Sequence, residues 1–352
     1  MARQNPFKPQ FGVAPDYFIG RRQILSSLVD AAKDSNSPWR VTLITAPRGV
    51  GKTALMADAR KLIKNAKFVS VPMSGEFKQA VLESLNEVSQ SQEYNVDAKV
   101  FSYKATYTEP QSFLAGLRNR LNKNQLTVFS IDEVQGDLDQ LAEFVMSYQQ
   151  LLQDGFNLML MMAGLPAPIE KLMQQPTTTF LRRAKRVRLG GLLHDEIVAS
   201  VLQAFTDTGK KISVELAEQL ATTSGGYTYL VQLLGYYTWA YTEKMTTQQH
   251  LDTAIAESEH MMIDSAITFI LRDMSAREVD LLMAMAKYEV ACNQDLIKDM
   301  QVTKQWVYKY TQRLLGYGVI KQIDKGQTII SIPFLREYLQ DDGSNKIPEE
   351  YH

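Results

Sequence analysis

The first strong hydrophobic signal along the chain is Val41-Thr-Leu-Ile-Thr-Ala46, a β-branched apolar run of strand length. Before it lie a short amphipathic helix over 24–33 and a segment with Pro6, Pro9 and Pro15, which reads as an extended arm. After it come a glycine-containing turn, a helical pattern over about 51–65, a second strand at 68–71 and helices at 76–93 and 110–122. Leu126-Thr-Val-Phe-Ser-Ile-Asp132 is a buried strand ending in acid, and 138–154 is helical. Leu158-Met-Leu-Met-Met-Ala163 is a further buried strand, and 184–189 is a short fifth. Strands of near-continuous apolar character alternating with helices predict a parallel sheet covered on both faces.

After Gly190-Gly191 the period changes. Residues 194–206, 213–222, 227–243 and 247–270 are helical in pattern and contain no strand. From about residue 275 there are three shorter helices, then two alternating runs within 318–332 around Asp324-Lys-Gly326, a hairpin signal. Three helices and a hairpin predict a winged helix. The resulting division is an α/β core with its arm (1–190), a helical unit (191–270), the winged helix (271–340) and a polar, flexible tail (341–352). No internal repeat of fixed period is present.

Composition acts mainly by exclusion. A chain of 352 residues, 45% apolar and 22% charged, is an ordinary globular protein of two or three domains. Disorder throughout, collagen-like repeats and a disulfide scaffold are excluded. Thirty-eight Lys and Arg against 39 Asp and Glu give a net charge of −1, which excludes a generally basic surface but allows a local patch. The single cysteine, Cys292, and four histidines predict no internal disulfide and no transition-metal cluster; Cys292 reads as a small buried hydrophobe. No apolar run reaches the ~18 residues of a membrane span. The first residues lack the apolar region of a secretory signal. A cytoplasmic protein without a membrane partner is expected.

The candidate chemistry begins where the first strand ends. Ala46-Pro-Arg-Gly-Val-Gly-Lys-Thr53 matches the GxxxxGK[ST] loop in the required strand–loop–helix context, with Ala46 in place of the first glycine. Glycines let successive backbone N–H groups turn around phosphate oxygens, and the helix N-terminus adds its positive dipole end. Ala46, Pro47, Arg48, Gly49, Val50, Gly51, Lys52, Thr53 and Ala54 would line ATP or ADP. Lys52 would reach the β- and γ-phosphates, and the Thr53 hydroxyl would ligate Mg²⁺. The other reading of the loop alone is a glycine turn without ligand. Downstream, Val128-Phe-Ser-Ile-Asp132-Glu133 ends in paired carboxylates: Asp132 for the magnesium water shell, Glu133 as general base. The spacing accommodates a strand inserted between the two motifs. A solvated acidic turn is the alternative.

Three further sets carry two readings each. At the end of the fourth strand, where many related ATPases place a polar sensor, stand only Ala163 and Gly164. Arg182-Arg-Ala-Lys-Arg-Val-Arg188 holds five basic residues, of which Arg182 or Arg183 could be an arginine finger offered to a neighbouring subunit. A nucleic-acid contact or a solvated face would use the same residues. In Tyr17-Phe-Ile-Gly-Arg21, Phe18 and Ile19 could clasp the adenine or pack the arm into a core.

Together these residues resemble the AAA+ and STAND-like P-loop ATPases of the origin-recognition and archaeal-ATPase type. The resemblance rests on Asn5-Pro-Phe7, Pro15, Phe18-Ile-Gly-Arg21, Pro47-Arg-Gly-Val-Gly-Lys-Thr53, Ile131-Asp-Glu-Val-Gln135, Ala163-Gly-Leu-Pro166 and Gly225-Gly-Tyr-Thr-Tyr-Leu-Val-Gln232. It implies an ASCE-type P-loop NTPase sheet, a helical lid and a C-terminal winged helix. Such lids carry a sensor arginine or a Gly-x-Pro turn; here Thr228 stands where that proline would be.

The C-terminal module has a helix-turn-helix pattern over 294–300 and 303–317, with Thr303 as cap. Lys304, Gln305, Lys309, Gln312 and Arg313 are its polar positions, and Lys321 and Lys325 lie on the wing. Trp306, Val307, Tyr310 and Leu314 read as its packing stripe. Five basic residues against one acid between Thr303 and Lys325 fit phosphate contacts, with Gln305 as a base reader. The expectation is a slow, regulatory ATPase acting as a nucleotide-dependent switch on double-stranded DNA. The alternative is a STAND-like signalling ATPase whose winged helix contacts protein or locks ADP. A protein partner or a second copy of the chain is the other class of partner. A metabolic kinase is disfavoured by the lack of an acceptor site.

Overall fold

A run with no polar side chain is either a strand buried on both faces or a buried helix, and Leu158–Gly164 is the former: all seven residues are buried. The computed structural model describes residues 4–10, 20–47, 49–73, 76–87, 112–136 and 138–341. It divides into a unit of Gln23–Thr45 with Leu55–Arg188, and a unit of Met1–Arg22, Ala46–Ala54 and Leu189–His352.

The elements as far as residue 188 are α1 (Arg22–Lys33), β1 (Val41–Thr45), α2 (Lys52–Leu62), β2 (Ala66–Pro72), α3 (Phe77–Glu87), α4 (Phe113–Arg120), β3 (Leu126–Val134), α5 (Leu138–Gln153), β4 (Leu158–Gly164), α6 (Pro166–Gln174), a 3₁₀ segment (Pro176–Arg183) and β5 (Lys185–Arg188). The sheet order is β2-β3-β4-β1-β5, with every pair parallel. The strand carrying the acidic pair is thus separated from β1 by β4, while β2, the strand that lies between the two motifs in sequence, takes the sheet edge. The register runs Thr45–Gly164–Val134 across one edge, so β1 and the acidic end of β3 finish on the same side of the sheet.

Its core is aromatic. Phe144 of α5 meets Phe129 edge-on at 5.2 Å between ring centres and Phe77 at 5.8 Å, and Tyr148 stacks on Phe180 at 6.3 Å. The Tyr148 hydroxyl is buried without a hydrogen-bond partner among the described residues, and burial raises its pKa. At the opposite edge of the sheet Arg40, only 8% exposed, is compensated by oxygen acceptors: Asn157 Oδ1 (2.7 Å) and the carbonyls of Asp34 (3.0 Å), Ala32 (3.2 Å) and Leu158 (3.3 Å). Desolvation lowers its pKa.

The other unit begins with the arm. Asn5 Nδ2 donates to the Tyr236 carbonyl, the Lys8 N–H donates to Gln232 Oε1, and Phe7 is buried against Gly235 and the Phe205 ring. The arm therefore packs on the helices that follow the sheet in sequence. These are α7 (His194–Asp207), α8 (Val214–Ser224), α9 (Thr228–Tyr241), which supplies the arm's partners, and α10 (Gln248–Met262). The single helix predicted over 247–270 is instead interrupted. A π turn at Ile263–Ile267 leads into α11 (Thr268–Arg272), with the Thr268 hydroxyl bonded back to the Ile263 carbonyl at 2.7 Å.

The C-terminal part contains α12 (Ala276–Ala286), β6 (Ala291–Cys292), α13 (Asn293–Met300), α14 (Lys304–Tyr317), β7 (Ile320–Asp324), β8 (Gln327–Ile330) and α15 (Leu335–Gln340). The strands form an antiparallel sheet in the order β6-β8-β7. The hairpin and both helices of the helix-turn-helix pattern are present, and Thr303 Oγ1 caps α14 by accepting from the Trp306 N–H.

Four elements escape the sequence pattern. α6 opens on Pro166 with Pro168 in its first turn, where a missing N–H costs nothing. The 3₁₀ segment, two-residue β6 and six-residue α15 are too short for periodicity to register. Cys292 is half-buried in β6, not a core residue. Residues 88–93 and 110–111 of the predicted helices, and all but the first residue of the tail, fall outside the described residues.

Replacing Phe144 by Ala should destabilise the sheet unit by roughly 3–5 kcal/mol, the usual cost of emptying a large aromatic site. Denaturant unfolding followed by tyrosine and tryptophan fluorescence measures it; a loss below ~1 kcal/mol would contradict this account of the core.

Candidate functional site

Between β1 and α2 the backbone turns through Gly49 (φ 74°) and Gly51 (φ 87°), conformations that favour glycine. Gly49 is required twice over, because a Cβ there would stand 2.1 Å from the Tyr227 hydroxyl oxygen. Ala46, in place of the motif's first glycine, is buried and has an ordinary backbone. Lys52 opens α2, and its ammonium donates to the carbonyls of Ala46 (2.9 Å) and Pro47 (2.8 Å). Thr53 is exposed and Ala54 half-buried in the same first turn.

The carbonyls of Gly49, Val50 and Gly51 are held by residues the sequence did not single out for this role. Arg21 Nη2 donates to the Val50 carbonyl (2.6 Å) and the Gly190 carbonyl (3.1 Å), and Nη1 donates to that of Gly51 (3.4 Å). The Thr228 hydroxyl donates to the Val50 carbonyl (3.1 Å), and the Tyr229 N–H donates to that of Gly49 (3.3 Å). A trans peptide is planar, so each C=O points opposite to the following N–H. Holding the carbonyls of Gly49, Val50 and Gly51 therefore directs the N–H groups of Val50, Gly51 and Lys52 the other way, as a common set of donors. With Lys52 beside them, this donor chemistry fits a polyphosphate. Burial lowers the Arg21 pKa to about 10, partly offset by Glu196, so the guanidinium stays charged at neutral pH. Tyr227 is buried over the loop, and burial raises its phenol pKa.

The C-terminal module also reaches the loop. Gly318, the left-handed cap of α14 (φ 72°), lies against Pro47: a Cβ on Gly318 would stand 2.0 Å from Pro47 Cγ. Arg21, Tyr227, Thr228 and Gly318 carry weak sequence signals: a Gly-Arg pair after the arm, a Gly-Gly pair before α9 and a glycine after α14.

In the sheet unit, the acidic pair sits on an irregularity. The β3–β4 register shifts between Ile131 and Val134, and Glu133 adopts φ 53°. Such bulges re-aim side chains at strand ends. Asp132 is half-buried and its Oδ1 accepts the Glu133 N–H (2.9 Å), while Glu133 is exposed. Ala163 is fully buried, so it presents no polar group at the end of β4. Arg182 and Arg183 are both exposed, and Arg182 Nε donates to the Met173 carbonyl at 3.4 Å. Arg48, Phe18 and Ile19 lie outside the described residues.

On α14, Lys304, Gln305, Lys309, Gln312 and Arg313 are exposed, as are Lys321 on β7 and Lys325. Val307, Tyr310 and Leu314 are buried, as expected of the packing stripe, and Trp306 is half-buried. Arg313 pairs at 3.3 Å with Glu278, whose other carboxylate oxygen accepts from the Ser275 N–H and hydroxyl. Among the described residues, no group of three or more His, Cys, Asp or Glu could hold a metal ion, and no helix is long and apolar enough to cross a membrane.

Arg21→Ala should free the carbonyls of residues 50 and 51. Amide exchange at Gly51 and Lys52 is expected to accelerate ~10-fold or more, the scale of a lost charged hydrogen bond. Mass-spectrometric hydrogen exchange reads this, and unchanged rates would remove the clasp from the account.

No protein-family model matches the sequence, and no curated protein matches it. Solved structures do. A Walker-type ATPase of Pyrococcus abyssi is 14% identical, with a TM-score of 0.69 over 92% of this chain and 96% of its own. The ORC2 protein of Aeropyrum pernix, in ADPNP–ADP complexes, is 13% identical, with a TM-score of 0.69 over 97% of each chain. Cdc6p from Pyrobaculum aerophilum is 16% identical, with a TM-score of 0.51 over 98% of each. The parallel sheet, the loop and these likenesses agree: the chain has the fold of the AAA+ P-loop ATPases of the origin-recognition type.

Proposed function

We propose that the protein binds and hydrolyses ATP and acts as a nucleotide-dependent switch on double-stranded DNA. The carrying observation is the phosphate loop itself: two left-handed glycines, three N–H groups directed together by their bound carbonyls, and the Lys52 ammonium beside them. Lys52 would leave two loop carbonyls to bind the β- and γ-phosphates, and the Thr53 hydroxyl and Asp132 are the residues that would hold Mg²⁺, which would neutralise phosphate charge. Glu133 takes the proton of the attacking water. Phe18 and Ile19 clasp the adenine, and Arg182 or Arg183 serves as a finger for a second copy of the chain. Similarity to the A. pernix ORC2 protein, solved with ADPNP and ADP, supports the nucleotide.

The order helix, strand, helix, helix, hairpin, closed by a three-stranded sheet, supports a C-terminal winged helix. The exposed Lys304, Gln305, Lys309, Arg313 and Lys321 support duplex DNA as its partner. The contact of Gly318 with Pro47 favours a second reading, in which the module locks the nucleotide state as in STAND-like switches. Duplex affinity of the full chain with ATP, with ADP and without nucleotide separates the two. Salt-dependent binding that changes with nucleotide supports the first, and its absence in all three states supports the second.

Lys52→Ala should abolish ATP binding in calorimetry while circular dichroism stays unchanged. Normal affinity in that folded variant would sink the assignment. Glu133→Gln should retain ATP but slow single-turnover hydrolysis by ~10²-fold or more, the scale of a lost general base. Normal cleavage would reject that role.

A further inference from the structure

We propose that Arg277 of α12, with Lys309 and Arg313 of α14, forms a binding site for a backbone phosphate of duplex nucleic acid, gathered around Tyr310. The proposal rests on the DNA reading above and deepens it, adding a residue outside the helix-turn-helix pattern.

Three cations converge on one ring. Arg277 Nη1 donates to the Tyr310 hydroxyl at 3.4 Å, the Lys309 ammonium lies 5.2 Å from the ring centre, and the Arg313 guanidinium carbon lies 5.5 Å from it. All three basic residues are exposed. Glu278 is the single carboxylate within ion-pair distance of the group among the described residues, and it meets only Arg313. That carboxylate is also engaged by the Ser275 cap, so it orients Arg313 without neutralising Arg277 or Lys309. The Tyr310 pKa is lowered, first by the Arg277 hydrogen bond and then by the surrounding positive charges. An uncompensated pair of cations beside a third is a ready partner for a phosphate.

Placement on α14 decides between a duplex and an acidic peptide. At ~100° per residue, Gln305 and Gln312 centre on the face opposite the buried Val307, Tyr310 and Leu314. Lys304 falls on one flank and Arg313 on the other, about 180° apart, with Lys309 between Arg313 and the centre. Cations on both flanks of a glutamine-bearing face match a helix lying between two phosphate strands, with amide side chains toward the bases. A single acidic segment would need one strip. Arg277 reinforces the Arg313 flank from a neighbouring helix.

The test is duplex binding by the full-length chain across a salt series, using two unrelated sequences, for the native protein, Arg277→Gln and Arg277→Lys. Arg277→Gln should weaken binding roughly three- to tenfold on both sequences and reduce the log–log salt slope by ~0.9, one phosphate's share. Arg277→Lys should keep the slope. If the native protein binds with a clear slope and Arg277→Gln leaves it unchanged, the site is wrong while the DNA reading stands. A loss confined to one sequence would make Arg277 a base contact and also overturn the proposal. No duplex affinity of the native protein at low salt in any nucleotide state would remove both.

Discussion

The nucleotide reading of this protein depends on how the carbonyl groups of one short loop are held. Residues 46–51 contain too few side chains to set their own conformation, and two of them sit at positive φ. Their carbonyls are taken instead by Lys52, by Arg21 from the N-terminal arm, and by Thr228 and the Tyr229 N–H at the start of α9. Peptide planarity turns this carbonyl binding into donor placement. A phosphate site made of N–H groups needs them aimed before the ligand arrives, because the entropy of aligning them would otherwise be lost on binding. The arm and α9 thus act through the backbone, without any side chain of theirs needing to touch phosphate.

The same logic explains a buried arginine in one unit, Arg40, and a half-buried one in the other, Arg21. Removing an arginine from water is costly unless its hydrogen bonds are replaced. Arg40 obtains its replacements from three carbonyls and Asn157, and Arg21 from three carbonyls. Neither is paired with a carboxylate at close range among the described residues. Neutral acceptors leave the positive charge in place, so Arg21 adds positive potential beside the loop, as the proposed phosphate site would need. The lowered pKa of about 10 is the cost of that burial, and it remains far above neutrality.

The legible parts of the chain were those in which one residue type does one job over several positions. β4 is apolar throughout because both faces are covered, and the Gly-Lys-Thr run stands where β1 gives way to α2. The hairpin announced itself through Asp324-Lys-Gly326, where Gly326 has φ 76°. What escaped was of two kinds. Short elements such as β6 and α15 owe their existence to tertiary partners, not to a repeating pattern. Contacts between distant segments escaped too: nothing in the local sequence of Arg21 tells which carbonyls it will reach, and Gly318 resembles any helix cap until Pro47 is seen against it. The break after α10 is of neither kind: it is local, with the Ser265 and Thr268 hydroxyls bonded back to carbonyls four and five residues earlier.

Gly318 also sets how the loop and the C-terminal module can influence each other. It terminates α14, and α14 carries the exposed Lys304, Gln305, Lys309 and Arg313. A helix of this length is stiff, so a shift at its cap moves its whole face. A side chain on residue 318 would collide with the Pro47 ring, so the cap of α14 meets the loop through one stiff ring, with no flexible group between them to absorb displacement. If Lys52 exchanged these carbonyls for phosphate, as proposed, Ala46 and Pro47 would lose their donor at the point where α14 abuts the loop. Any preference of nucleic acid for one position of α14 then becomes a preference for one state of the loop, and the coupling is equal in both directions by thermodynamic necessity. A switch built in this way would need no sensor side chain on β4, whose end carries the buried Ala163.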